Sequence, residues 1–196
     1  MKDRDNRKRK RTGILLIIMG AAAMSAALFL ALYREAVSSR AASAAEETAA
    51  VLREVIPDDA ENAGAAWKEG EPDVYLCGNY SCIGLLTLEG STASATLPVT
   101  LPDGAPGNLL PVRIKGSPSG GFCIQGPGYS SVFGILSDLA EGDRVTFTDL
   151  YGFRTEYIVE SADFAGDVDM TGGADLLLIS RRPVGYTLVS CRRAGN

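Results

Sequence analysis

The sequence predicts an all-β domain attached to a membrane by a single N-terminal helix. Three observations support this prediction: an uncharged apolar run at residues 13–32, a helix-forming segment that stops at Pro57, and short apolar runs separated by turn residues throughout 74–196. The chain has 196 residues, of which 46% are hydrophobic and 22% are charged. That length suits one compact domain with an appendage, and the composition excludes a wholly disordered chain.

Residues 1–12 form a basic tail. The tail has seven Lys or Arg and two Asp residues, a net charge of +5, whereas the remainder of the chain carries −10. Because the remainder is acidic, a nucleic-acid partner is not expected.

Residues 13–32 are predicted to be a transmembrane signal anchor. These 20 uncharged residues have about the length that crosses the hydrocarbon core of a bilayer. Basic residues before a single span predict a cytoplasmic N-terminus and an extracellular domain. A signal peptide cleaved among the small residues 41–45 is the alternative, but the apolar run is longer than a usual signal core, which favours a retained anchor.

Residues 33–73 are predicted to form a helical stalk and an acidic linker. Residues 33–56 are rich in Ala, Glu and Arg and lack Gly and Pro, so they are expected to continue the membrane helix and lift the domain from the surface. Pro57 ends this helix. In residues 57–73, Gly, Pro and acidic residues surround one large apolar side chain, Trp67, which is typical of a linker.

Residues 74–196 are predicted to form a closed or sandwich-like β domain. Val145 and Phe147 alternate with polar neighbours, as do Tyr157 and Val159, on either side of a turn at residues 149–152. This pattern is typical of a β-hairpin. Within the domain, a helical pattern is found only at residues 131–140.

The absence of histidine restricts the chemistry of this domain. Histidine is the side chain that titrates near neutral pH, and it is a common metal ligand. Ser-His-Asp and Cys-His mechanisms and His-ligated metal sites are therefore excluded, whereas carboxylate chemistry is not.

The four cysteines are too few for a disulfide scaffold. Cys77 and Cys82 either form a small disulfide loop outside the cell or remain thiols. Their spacing, without histidine partners, is a poor signal for zinc. Cys123 lies in a strand-like run and is expected to be an ordinary packed residue.

A long ordered series of motifs occupies residues 121–160. A strand that ends in Gly126-Pro127 leads into a short helix, which is followed by two more strands. The motif F-x-x-L is matched by Phe133 and Leu136, L-x-x-G-D-x-v-x-f-t-d by Leu139, Gly142, Asp143, Val145, Phe147, Thr148 and Asp149, and Y-x-V by Tyr157 and Val159. This series resembles the sortases, the membrane-anchored cysteine transpeptidases of Gram-positive bacteria. The resemblance covers about residues 80–193 and implies a closed sortase-type β-barrel with one or two short helices.

The resemblance also implies a catalytic set that this sequence lacks. Sortases use a histidine at the end of a v-I-a-G-H strand, a cysteine in a T-L-x-T-C strand and an arginine in the next strand. The cysteine attacks as a thiolate, the imidazolium favours that state and protonates the leaving amine, and the arginine stabilises the oxyanion. Pro127 stands at the histidine position, and proline neither binds a proton nor donates a backbone hydrogen bond.

Two alignments of the C-terminal residues are open. In the first, residues 175–181 match the cysteine strand, so that Arg181 replaces the nucleophile and Tyr186 stands where the arginine belongs. In the second, residues 187–191 are the T-L-x-T-C motif and Cys191 is the nucleophile. The second alignment leaves the barrel without its final strand, with unpaired hydrogen-bonding groups at an edge, so the first is favoured.

Two other motifs carry weaker signals. Residues 97–100 spell the first four letters of a cell-wall sorting signal, but Leu101 stands where glycine is needed, so we interpret them as a strand. Asp167 and Asp169 lack the further oxygen ligands of a calcium loop and predict a solvated turn. No glycine-rich phosphate-binding motif occurs, and no cofactor or metal is expected.

We therefore expect a membrane-anchored, sortase-like protein without catalytic activity. Its expected role is accessory or peptide-binding, in the attachment of proteins or pili to the cell surface, with sorting-signal peptides or an active sortase as partners. The alternative is residual transpeptidase or hydrolase activity through Cys191. A thiol of ordinary pKa, ~8.5, is only slightly ionised at neutral pH, and without histidine it has no acid for the leaving amine.

Overall fold

The computed structural model describes residues 2–57, 67–68, 71–91, 93–102, 109–168 and 173–195, with side chains from Leu16 onward except that of Lys68. The chain divides into two compact units, Met1–Ser39 and Arg40–Asn196. The boundary falls within helix α1, Lys2–Val55.

The first unit consists of helix α1 up to Ser39. The segment Leu16–Val55 contains a stretch that is long and apolar enough to cross a membrane, by length and composition. Its apolar side chains are exposed, with Ile17 and Met24 both 72% accessible. A helix with this surface can serve as a membrane anchor, which agrees with the span predicted at residues 13–32. The side chains of the basic tail, residues 1–12, lie outside the described residues.

The second unit is built mainly from strands. Its described strands are β1 (Trp67–Lys68), β2 (Glu71–Pro72), β3 (Tyr75–Cys77), β4 (Tyr80–Glu89), β5 (Ser94–Thr100), β6 (Val112–Ser117), β7 (Gly120–Pro127), β8 (Arg144–Asp149), β9 (Arg154–Ala165), β10 (Leu176–Arg181) and β11 (Tyr186–Arg193). A 3₁₀ helix, η1 (Phe133–Ser137), follows β7 and lies within the predicted helical segment 131–140.

Eight of these strands close into a barrel in the order β4, β5, β6, β7, β10, β11, β9, β8, and β8 pairs with β4 to complete the circle. Neighbouring strands are antiparallel except for the parallel pairs β5–β6 and β7–β10. Strand β3 forms a hairpin with the beginning of β4. The predicted closed β-barrel with a short helix is thus confirmed.

Large apolar side chains form the core of the barrel. Alternate residues of β8 and β11 are buried, as expected for strands with one face toward a core. Among the largest fully buried side chains are Phe122, Phe147 and Tyr157. The Tyr157 hydroxyl donates a hydrogen bond to the Pro118 carbonyl at 3.1 Å, so this polar group is satisfied inside the core.

The helical residues after Ser39 pack on the barrel. Ala41, Ala45, Ala49 and Leu52 are nearly inaccessible and recur at the spacing of one helix face. Small alanine side chains allow the helix to approach the strands closely. The helix ends at Val55, just before Pro57, as predicted, but from Arg40 on it belongs to the same compact unit as the barrel. This part of the predicted stalk therefore packs on the domain and does not act as a spacer.

Part of the predicted linker also contacts the core. Trp67, in the small β1–β2 sheet, packs edge-to-face on Phe122 and Phe147, with ring centroids 5.8 and 6.5 Å away. The Arg113 guanidinium lies over the Trp67 ring, 5.1 Å from its centroid, in a cation–π contact. Residues 58–66 and 69–70 of the linker lie outside the described residues.

Several local predictions agree with the structure. Strands β8 and β9 form the predicted hairpin, in which the Asp149 carboxylate accepts hydrogen bonds from the backbone N–H groups of Tyr151 and Phe153, each at 2.9 Å. Residues 97–100 lie in β5, and Cys123 is buried in β7. Asp167 accepts a hydrogen bond from the Val168 N–H, whereas Asp169 lies outside the described residues.

Gly126 allows η1 to pack against β7. A Cβ atom at this position would lie 2.7 Å from Cδ2 of Phe133, which is fully buried and belongs to η1. A side chain larger than hydrogen therefore forces the Phe133 ring to move.

We predict that Gly126→Ala lowers the free energy of unfolding by about 1 to 3 kcal/mol, the usual cost of overpacking a core. Gly120→Ala, in the same strand but with open space around the new Cβ, should change it by less than about 0.5 kcal/mol. Urea unfolding of the full chain in detergent, followed by the fluorescence of the single tryptophan, measures both. Equal effects of the two substitutions would show that the Phe133 contact does not limit this position.

Candidate functional site

The candidate site is formed where three neighbouring strands meet. Pro127 is the last residue of β7, Arg181 is the last residue of β10, and Tyr186 is the first residue of β11. Arg181 is the register partner of Pro127 across the parallel β7–β10 pair and of Tyr186 across the antiparallel β10–β11 pair. The three residues predicted as site positions are thus side by side in the barrel wall, on strands spaced about 4.8 Å apart.

Arg181 presents a cation at this site. Its side chain is exposed, and within the described part of the chain the guanidinium forms no ion pair. Pro127 and Tyr186, on either side, are half-buried. A guanidinium carries several N–H donors and is always charged, so it can hold a carboxylate or a peptide carbonyl. It cannot act as a nucleophile.

The backbone of Arg181 is held by the segment that follows β7. The Gly128 N–H donates a hydrogen bond to the Arg181 carbonyl at 2.8 Å. A Cβ atom at Gly128 would lie 2.6 Å from that same carbonyl oxygen, so the close approach requires glycine. The preceding residue, Ser180, is fully buried, and its hydroxyl has no hydrogen-bond partner among the described atoms.

Helix η1 contacts the site from one side. Arg182 donates a hydrogen bond from its guanidinium to the Ser137 hydroxyl at the end of η1. The Ser137 hydroxyl in turn donates to the Gly134 carbonyl at 2.8 Å. The second of the two consecutive arginines is therefore oriented by a side-chain contact, whereas Arg181 keeps its guanidinium accessible.

Cys191 lies far from these residues. It is in β11, five positions from Tyr186, a distance of about 17 Å along an extended strand. It is fully buried within the main apolar core, opposite Leu176 on β10 and Val159 on β9. Burial, with a smaller contribution from the negative charge of Glu160, raises the pKa of the Cys191 thiol to about 12. The structure therefore does not bring Cys191 together with Pro127 and Arg181.

Residues 187–191, the T-L-x-T-C segment of the second alignment, are part of β11. This strand pairs with β10 on one side and with β9 on the other. Strand β11 is therefore the strand that closes the barrel. The first alignment was favoured because it gives these residues that position.

The contacts of Trp67 with Phe122 and Arg113 were not predicted from the sequence. The Trp67 ring covers Phe122, near the beginning of β7, whereas Pro127 is at the end of that strand. The only feature of the sequence that could have indicated this contact is that Trp67 is the one large aromatic residue in an otherwise polar linker. No pattern in the sequence indicates that Arg113 stacks on this ring.

Comparison with solved structures identifies the architecture. The chain matches a lid mutant of sortase A from Corynebacterium diphtheriae with a TM-score of 0.50 and 19% identity, over 84% of this chain and 95% of that chain. This chain has the sortase fold.

Two further sortase-fold structures match less closely. Sortase C1 from Streptococcus agalactiae has a TM-score of 0.48 and 16% identity, over 82% of this chain and 88% of that chain. Sortase E from Streptomyces avermitilis has a TM-score of 0.46 and 18% identity, over 62% and 91%. No protein-family model and no curated protein matches the sequence. The fold expected from the motifs is confirmed, and the assignment of Pro127, Arg181 and Tyr186 to catalytic positions stays a prediction.

The raised pKa of Cys191 predicts a pH dependence of stability. In the unfolded chain the thiol loses its proton near its ordinary pKa, about 8.5 to 9, whereas in the folded chain it keeps the proton up to about 12. The folded state therefore binds more protons in this interval, and stability falls as the pH rises above about 9.

We predict that Cys191→Ala makes this decline shallower by up to about 1.4 kcal/mol per pH unit, the contribution of one proton. Urea unfolding of the full chain in detergent at several pH values from about 9 to 11 measures the slope. Ser190→Ala, at the half-buried neighbouring position, should keep the wild-type slope. A Cys191→Ala slope equal to that of the wild type would contradict the buried, protonated thiol.

Proposed function

We propose that this chain is a membrane-anchored sortase-like protein that has no transpeptidase activity and binds peptides. In this proposal it has an accessory role in attaching proteins or pili to the cell surface, where it positions a sorting-signal peptide or supports an active sortase.

The position of Arg181 carries the proposal. It is the last residue of β10, with Pro127 and Tyr186 as its register partners on the two flanking strands. The first alignment assigns these three positions to the cysteine, the histidine and the arginine of active sortases. An exposed guanidinium then stands where a transpeptidase needs a thiolate.

The three residues include neither a thiol nor an imidazole. Arginine stays protonated and does not attack a carbonyl, proline has no titratable group, and a tyrosine hydroxyl offers an oxyanion a neutral hydrogen bond in place of a cation. The chain has no histidine that another position could contribute. Losing the general acid alone costs roughly 10²- to 10⁴-fold in rate.

Peptide binding, by contrast, needs no nucleophile and no general acid, only a surface such as the ends of β7, β10 and β11. The backbone ladders of β7, β10 and β11 are intact up to the site, and the Arg181 carbonyl is held by Gly128. Arg181 offers a fixed charge to a carboxylate or an acidic peptide, and Arg182 is held beside it by Ser137. This chemistry favours an extended peptide that carries a negative charge near the site.

The proposed location is the cell membrane, with the N-terminus in the cytoplasm and the barrel outside. The basic tail of residues 1–12 precedes an apolar helix that is long enough to cross the bilayer. Positive residues are retained on the cytoplasmic side of such a helix. The acidic remainder of the chain, which contains the barrel, would then lie outside the cell.

Catalysis through Cys191 is the alternative function, and the geometry argues against it. The thiol is fully buried, and burial raises its pKa far above neutral pH. Attack on a peptide carbonyl would need both exposure and ionisation of this sulfur.

We predict that the full chain in detergent binds an acidic sorting-signal peptide and that Arg181→Ala weakens binding roughly 5- to 10-fold. A charge-assisted hydrogen bond at an accessible site contributes about 1 to 1.5 kcal/mol. Fluorescence anisotropy of a labelled peptide measures the dissociation constants. Arg192→Ala is the matched control. Arg192 is exposed like Arg181, but it lies near the other end of β11, far from the site, where it pairs with Glu160 at 3.5 Å.

Two results would overturn the proposal. One is the absence of saturable peptide binding by the wild-type chain. The other is a stable peptide adduct on Cys191, detected by mass spectrometry of the intact protein and lost in Cys191→Ala, since such an adduct is the acyl-enzyme of an active transpeptidase.

A further inference from the structure

The hairpin formed by β3 and β4 brings two cysteines together. Cys77 pairs with Tyr80 across a two-residue turn, and Cys82 follows Tyr80 by two positions on the same face of β4. Cys77 and Cys82 are therefore diagonal neighbours.

Both thiols belong to one apolar cluster. The Cys82 thiol donates a weak hydrogen bond to the Tyr80 carbonyl at 3.8 Å. Cys82 is inaccessible and Cys77 is 8% accessible. The remaining buried members of the cluster are Ala49, Leu52, Ile56 and Leu85, so the end of helix α1 covers the pair.

This environment suits a disulfide better than a metal ion. No group of three His, Cys, Asp or Glu side chains that could bind a metal occurs among the described residues. The four cysteines are thiols in the structure. Cys191 belongs to the main core cluster and Cys123 lies on β7, so neither is part of this hairpin. Cys77 and Cys82 are the pair that shares one face of a hairpin and one buried cluster.

We propose that Cys77 and Cys82 are joined by a disulfide in the protein at the cell surface. This inference rests on the orientation given under the proposed function, since disulfides persist in compartments outside the cytoplasm. The bond would tie β3 to β4 beneath the last turns of helix α1.

The reaction is a thiol–disulfide exchange with an oxidised oxidoreductase that itself carries a disulfide. The thiolate of Cys77, the more accessible residue, attacks one sulfur of the oxidant and forms a mixed disulfide. The thiolate of Cys82 then displaces the oxidant. One S–S bond forms in this chain and one is broken in the oxidant, which leaves as a dithiol with the two protons and two electrons that the cysteines lose.

The timing of this step follows from burial. Burial raises the pKa of both thiols, so few thiolates are available once helix α1 covers the hairpin. Exchange is therefore expected while the domain folds outside the cell, and the finished bond is shielded from reductants.

Differential alkylation of the full chain tests the disulfide. Membranes of cells that produce the protein are dissolved in denaturant with N-ethylmaleimide, then reduced and treated with iodoacetamide. Peptide mass spectrometry should find the second reagent on Cys77 and Cys82 and the first on Cys123 and Cys191. In Cys82→Ala, Cys77 has no partner and should carry N-ethylmaleimide. In the matched control Cys123→Ala, both hairpin cysteines should still carry iodoacetamide.

Protease treatment of intact cells reports the orientation separately. If the barrel is cleaved from outside and both Cys77 and Cys82 carry N-ethylmaleimide, both were free thiols, and the proposed disulfide is overturned. A barrel that is protected overturns the orientation, and the purified full chain is then incubated with glutathione disulfide. Formation of the Cys77–Cys82 bond there supports the pair, and two free thiols overturn it.

Discussion

The pairing of the last strand with both of its neighbours is the constraint on which the rest of the structure depends. Strand β11 pairs with β10 on one side and with β9 on the other. Without it, two strands would present unpaired backbone groups at open edges. The same β10–β11 ladder sets Arg181 opposite Tyr186, and the β7–β10 ladder sets it opposite Pro127. Closure of the barrel and assembly of the candidate site are therefore consequences of the same strand pairing.

The fold and the chemistry of the site depend on different atoms. Strand pairing uses backbone groups, and the core uses inward side chains such as Val189 and Cys191. The candidate site uses side chains at strand ends, where Arg181 is exposed. A change of residue type at such an end leaves the ladders and the core intact. The sortase fold therefore does not depend on the residue types at positions 127, 181 and 186, and Cys191 belongs with the residues of the core.

Features that depend on neighbouring residues were predicted from the sequence better than contacts between distant segments were. The alternation around residues 149–152 predicted the β8–β9 hairpin, and Pro57 marked the end of the helix, because both depend on neighbouring residues. The parallel pairing of β7 with β10 joins segments about fifty residues apart, so periodicity could not align Arg181 with Pro127. The packing of Ala41 and Trp67 on the barrel was missed because alanine carries a weak apolar signal and a single aromatic residue has no period.

Rebuilding the site tests the central claim most directly. The combined variant Pro127→His, Arg181→Cys, Tyr186→Arg restores a sortase-type set at the three positions. With a sorting-signal peptide, mass spectrometry of the intact protein should detect a thioester adduct at position 181 of this variant and none on the wild-type chain. A folded variant that remains unmodified, or a wild-type chain acylated at Cys191, would contradict the claim that these three positions are a sortase site without its chemistry.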